Sequence, residues 1–141
     1  MRRGDCRGSV ALELVILVPA VLAMLMLVIY GGRVVSAQSQ VQSAASAAAR
    51  AASMQGSLGG AGDVVGEVAQ ENMADSGLSC GPGSNAVIVN ESTDFRPGGQ
   101  VTVRATCIAD LSSLAFIGAP GSLTINRDAT EVIDDLRGEG G

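Results

Sequence analysis

Arg7-Gly8-Ser9-Val10-Ala11-Leu12-Glu13, followed by the apolar run Leu14 to Tyr30, is the stretch on which the reading of this chain turns. Leu14 to Tyr30 is 17 residues without a charge, and Ser9 to Gly32 is 24 residues with Glu13 as the only one. At about 1.5 Å per residue, roughly 20 helical residues cross the ~30 Å hydrocarbon core of a bilayer. The segment is therefore long enough to span a membrane. Arg2, Arg3 and Arg7 precede it and Arg33 follows it, so the positive-inside tendency keeps the short head in the cytoplasm and sends residues after 33 outside. Glu13 is the anomaly. A carboxylate inside a span is costly and marks a functional position, unless it merely lies at the watered cytoplasmic rim.

The local pattern gives Glu13 a role. A Gly followed five positions later by a carboxylate, at the head of an apolar run, resembles the processing site of type IV prepilins. In those proteins a membrane peptidase cuts after the Gly, which here falls between Gly8 and Ser9. Gly8 to Leu14, Val18-Pro19-Ala20, Gly31-Gly32-Arg33 and the Ala-rich Ala44 to Ala52 with Arg50 together resemble the TadE-like family. These are pseudopilins of the tight-adherence (Flp) pilus system, and the pattern covers about the first 55 residues. Two positions depart from it: Ser9 stands where pilins often carry an aromatic residue, and Leu14 where family members often have Phe. Neither is a residue that the cleavage chemistry requires. The resemblance implies a leader of residues 1–8, a Glu13 that registers subunits during assembly, and a membrane helix. It implies as partners membrane lipid, a prepilin peptidase, and other pilins, pseudopilins and Tad assembly proteins.

Composition bounds the alternatives. The chain has 141 residues, 9 Arg, no Lys, 14 acids and no His, for a net charge of -5. Removing residues 1–8 leaves 6 bases against 13 acids. With two Phe, one Tyr and no Trp, it lacks the basic patch and stacking platforms that nucleic-acid binding uses. No nucleophile–base pair, metal-ligand cluster or phosphate loop stands out, so neither an enzyme nor a cofactor is expected. Gly60-Ala61-Gly62 with Gly66 has the wrong spacing for a dinucleotide loop and follows no strand.

From Ser9 a helix is expected to run past Pro19, a potential kink, and past Gly31-Gly32 into an Ala-rich extension ending near Met54. Those 46 residues would measure roughly 65–70 Å. Val34, Ala37, Val41, Ala44, Ala48 and Ala51 recur at steps of three or four. Ala44, Ala48 and Ala52 form a small-xxx-small ladder, which either meets another helix closely or lies on its own domain. Gly56 to Gly62 reads as a break, and Asp63 to Ser76 as an amphipathic helix with Val64, Val65, Val68 and Met73 on its apolar side. Its carboxylates Asp63, Glu67, Glu71 and Asp75 repeat every four residues. They form a solvated face or a docking face for a basic partner or divalent cations.

Beyond it, Ala86 to Asn90 and Gln100 to Cys107 read as the two strands of an antiparallel hairpin, with Arg96-Pro97-Gly98-Gly99 as turn chemistry between them. Ile108 to Gly118 is a packed loop or helical turn. Ser122 to Arg127 with Thr130 to Ile133 make a third strand, whole or broken at Asp128, and Asp134 to Gly141 frays. Outside the cytoplasm disulfides persist, and Cys80 with Cys107 is the pair at the hairpin's outer ends. Their bond would close a loop of about 28 residues, worth about 3–4 kcal/mol in the chain-entropy model. Cys6 falls in the leader. The expected fold is α+β, with boundaries at 1–8 (leader), 9–55 (span and extension) and 56–141 (small extracytoplasmic domain with a 2–3-stranded sheet). Two other readings stay open. In one, Val35-Ser36-Ala37 before Gln38 resembles a signal-peptidase site that would release 104 residues; in the other, the span is an uncleaved anchor.

Overall fold

The computed structural model describes residues 7–55, 57–89, 95–112, 118 and 120–134, with side chains from Ala11 onward. Its elements run α1 (Arg7–Ser53), α2 (Leu58–Asp75), β1 (Asn85–Ile88), β2 (Gln100–Asp110) and β3 (Ser122–Val132). The class is α+β, as the sequence implies. Two compact units divide the chain, one up to Val34 and one from Val35 on. The Ala-rich half of α1 therefore belongs with the C-terminal unit, whereas the sequence reading grouped it with the span. Residues 1–6 of the expected leader, Asn90 at the end of the first expected strand, 113–117 of the packed loop and 135–141 of the fraying end lie outside the described residues.

In the first unit α1 continues as helix through Pro19. The apolar side chains from Leu12 to Ile29 are exposed, apart from half-buried Met26. That exposure suits lipid rather than water.

In the second unit two helices cover one face of a three-stranded antiparallel sheet of order β1-β2-β3. The alternation along β2 decides which face is inside. Val101, Val103, Ala105, Cys107 and Ala109 are buried, while Arg104 points away and is exposed. Against that face α1 buries Ala37, Val41, Ala44, Ala45, Ala48, Ala49 and Ala52, and α2 buries Ala61, Val65, Ala69 and Met73 at every fourth position. The Ala44–Ala48–Ala52 ladder thus lies on its own domain, one of the two alternatives its spacing leaves open. Ala51 is only half-buried, and Ala45 and Ala49 take its place in the stripe. The deepest side chains are Val41, Val65, Val101, Val103 and Cys107, with no aromatic or Leu among them. A core of Ala and Val buries little area per residue, so it depends on close backbone approach and on cross-links.

α2 begins five residues earlier than expected. Ser57 caps it, its Oγ accepting from the Gly60 N–H at 3.3 Å, and Ala61 is fully buried. Cap and burial together outweigh the helix penalty of Gly59, Gly60 and Gly62, each worth about 1 kcal/mol at most against Ala. At the other end Gly77 takes φ +73, its N–H donates to the Ala74 carbonyl, and the Leu78 N–H donates to Met73. This Schellman motif stops the helix, and Leu78 packs on the core beneath it.

β1 is short and its pairing with β2 sets Ala86 opposite Ala105. The Pro97-Gly98 turn forms as its chemistry predicts: Gly99 N–H donates to Arg96 at 2.8 Å, with Gly98 at φ +77. β2 runs three residues beyond Cys107, and β3 is unbroken from Ser122 to Val132. Asp128 does not interrupt it, because the carboxylate receives two hydrogen bonds from Arg104 across the strands, at 2.7 and 2.8 Å. Flanking this pair, Thr102 meets Thr130 at 2.8 Å and Thr106 donates to Asn126 at 2.8 Å. The outer sheet face is therefore a polar ladder.

Candidate functional site

Two regions carry the residues singled out from the sequence. In the first unit, Gly8, Ser9, Glu13 and Pro19 all lie on α1. Ser9 and Glu13 stand four residues, about one helical turn, apart along α1. Glu13 is exposed, and its neighbours Leu12, Leu14, Val15, Ile16 and Leu17 are at least half exposed. A lone carboxylate set in a bare apolar surface needs a positive partner once lipid surrounds it. By length and composition, α1 contains a segment able to cross a membrane.

In the second unit, Cys80 and Cys107 are joined by a disulfide with 5.3 Å between their Cα atoms. Cys80 sits in the stretch after α2 and pairs across to Ala109, while Cys107 is buried in β2. The bond ties that stretch to the central strand. Met73 completes the packing, its sulfur 3.5 Å from Cys80 Sγ.

A second set of residues fastens α1 to β3, and sequence reasoning did not single it out. Arg127 donates to Gln38 Oε1 at 2.8 Å, Gln42 donates to the Asp128 carbonyl at 3.1 Å, and Arg50 pairs with Glu131 at 3.3 Å. Both partners advance along the chain together, so helix and strand run the same way. The signal was present in β3, where Arg127 and Glu131 occupy positions that alternate with the exposed face. Without the helix's position there was no telling what they would meet. Arg50–Glu131 and Arg104–Asp128 are largely exposed ion pairs, worth roughly 0–1 kcal/mol each, so they orient more than they stabilise.

The Arg104 hydrogen bonds hold the Asp128 carboxyl below the ordinary carboxylate range. The backbone N–H of Ser112 does the same for Asp110. Asp63, Glu67, Glu71 and Asp75 are all exposed along α2. Among the described residues, no group of three or more Cys, His, Asp or Glu side chains is placed to hold a metal ion.

These features define a class: a chain whose apolar N-terminal helix leads into a small, disulfide-linked α+β domain. Residues 8–50 match the model of the family described as TadE-like protein, which bears out the resemblance over that segment. The family is one of tight-adherence pilus assembly. The match opens on Gly8, takes in Glu13, Pro19 and Gly31-Gly32, and closes on Arg50. No curated protein and no solved structure matches the chain.

Proposed function

We propose that this protein is a pseudopilin-like minor component of a tight-adherence pilus assembly or secretion machine, cut by a prepilin peptidase after Gly8. The observation that carries the reading is the TadE-like match, which begins at that Gly and includes Glu13 in its apolar setting. Cleavage would remove the basic leader and create an amine on Ser9, one helical turn from Glu13 or beside Glu13 of a neighbouring subunit. Either pairing reduces the cost of holding the carboxylate in lipid. The role is structural and not enzymatic. The N-terminus faces the cytoplasm, and the unit from Val35 on, which includes the Ala-rich half of α1, is the exposed head. Its partners are membrane lipid, the peptidase, and other pilins and Tad proteins reached through α1.

The signal-peptidase reading fits less well, because Ala37 is buried in the core of the second unit. A cut after it would strip the head of part of its first helix. The proposal is tested with Glu13→Leu. The variant should stay in the membrane but lose co-purification with pilus components and reduce piliation. Unchanged assembly would remove Glu13 from the mechanism.

A further inference from the structure

Gly31 and Gly32 stand side by side inside α1, and nothing among the described residues requires a glycine at either position. Both keep helical backbone, neither has a positive φ, and a methyl group built on either meets nothing within 4 Å. The boundary between the two compact units falls just beyond them, between Val34 and Val35. From Gly31 to Ser36 no residue is buried, and Ala37 is the first described residue of α1 to enter the core. We propose that α1 is jointed at Gly31-Gly32: the turn there opens locally while the segments on either side stay helical.

A helix is held by residue propensity and by packing of one face, and both are weak at this turn. Each glycine shifts the local equilibrium toward open chain by about 5-fold relative to Ala, so the adjacent pair shifts it by about 30-fold. No buried side chain makes up the loss before Ala37. Tyr30 and Arg33 bracket the pair, an aromatic and a cation of the kind that settle at a membrane–water interface. A backbone group freed there finds water, whereas one freed in hydrocarbon goes unpaired. Pro19 gives the contrast: it too removes a helix donor, but it lies inside the apolar run, where α1 continues as helix. The interface argument rests on the membrane-span reading, and the glycine argument does not.

The opened element is short. In a helix each N–H donates to the carbonyl four residues earlier, so the bonds at stake join the amides of Gly32 to Ser36 to the carbonyls of Val28 to Gly32. The apolar run before the joint keeps its own helical bonds, and Ala37 to Ala52 keep theirs because that stretch is packed in the core. Opening of this turn therefore leaves the core of the second unit intact. It is a sub-global event of the kind found where few buried contacts hold the backbone. Its consequence is mechanical: bending or strain arriving along one half of α1 is absorbed at the joint and does not reach the other half.

The test is amide hydrogen exchange on the full-length protein in detergent, resolved by residue along α1 and corrected for intrinsic rates. In the parent, the amides of Gly32 to Ser36 should exchange at least about 10-fold faster than those of Ala44 to Ala49, and dilute urea should speed only the latter. The double variant Gly31→Ala/Gly32→Ala should slow exchange at residues 32–36 by about 30-fold and leave residues 44–49 within about 3-fold of the parent. Trypsin gives an independent reading at Arg33, because the protease needs open chain, and cleavage there should slow by a similar factor in the variant. Membrane fractionation without detergent tests the span reading separately, so a failure of that reading is told apart from a failure of the joint. Equal protection of the two windows in the parent, or unchanged exchange and unchanged cleavage at Arg33 in the variant, would overturn the proposal. So would a variant of unchanged exchange whose oligomers are lost on a native gel, since the glycines would then serve a helix contact.

Discussion

Replacing Ala48 by Leu separates the two roles that a ladder of Ala can play. Ala48 is completely buried, with Ala44 and Ala52 buried one turn to either side, and the neighbouring core is Ala and Val. Three added carbons must be fitted into that packed interface, which pushes helix and sheet apart or forces side chains out of their rotamers. Overpacking of this kind costs about 1–3 kcal/mol. In a domain of about 100 residues, 2 kcal/mol lowers the thermal midpoint by roughly 8–12 °C. Ala47→Leu is the control, since Ala47 is only half-buried and beside an open groove, and it should stay within about 0.5 kcal/mol of the parent. The assay is thermal unfolding by circular dichroism on the full-length protein in detergent, with oligomeric state read in parallel on a native gel. An Ala48→Leu protein of unchanged midpoint but weakened self-association would refute the reasoning, since it would place the ladder against a partner.

Gly66→Ala in the interior of α2 should stabilise the domain by about 0.5–1 kcal/mol, because the added methyl meets nothing within 4 Å and the helix gains propensity. Urea unfolding measures it, and a loss of stability would mean that the glycine is needed for packing. Asp128→Asn should cost less than about 1 kcal/mol at neutral pH, as its carboxylate is largely exposed. The sign of its pH dependence follows from the lowered pKa. The contribution is present above the ordinary carboxylate pKa of about 3.9 and is lost as pH falls through the folded value. Acid titrations of parent and variant should therefore converge at low pH, and a gap that widened there would contradict the Arg104 pairing.

Much of the first unit was legible, because hydrophobic length and a lone carboxylate are local signals that no tertiary contact needs to complete. The hairpin was legible for the same reason: alternation in Val101 to Thr106 and the Pro97-Gly98 turn are short-range rules. What failed was also local in origin. Gly59, Gly60 and Gly62 advertised a break, but a Ser57 cap and the burial of Ala61 supply more than the glycines cost. At Asp128 the sequence left a whole and a broken strand equally open, and the Arg104 pairing opposite it decides for the whole one. The α1–β3 fastening of Gln38, Gln42 and Arg50 joins residues more than 80 positions apart, and no single-sequence pattern encodes such pairs. The Ala ladder was ambiguous in principle, since its spacing suits an intramolecular face and an intermolecular one equally.

The central claim is that the chain is processed as a prepilin and works from the membrane through α1. The most direct test is the N-terminal sequence and intact mass of the protein recovered from its native membranes. The account predicts a mature chain that starts at Ser9 and retains its disulfide. A start at Gln38, or an intact Met1, would contradict it.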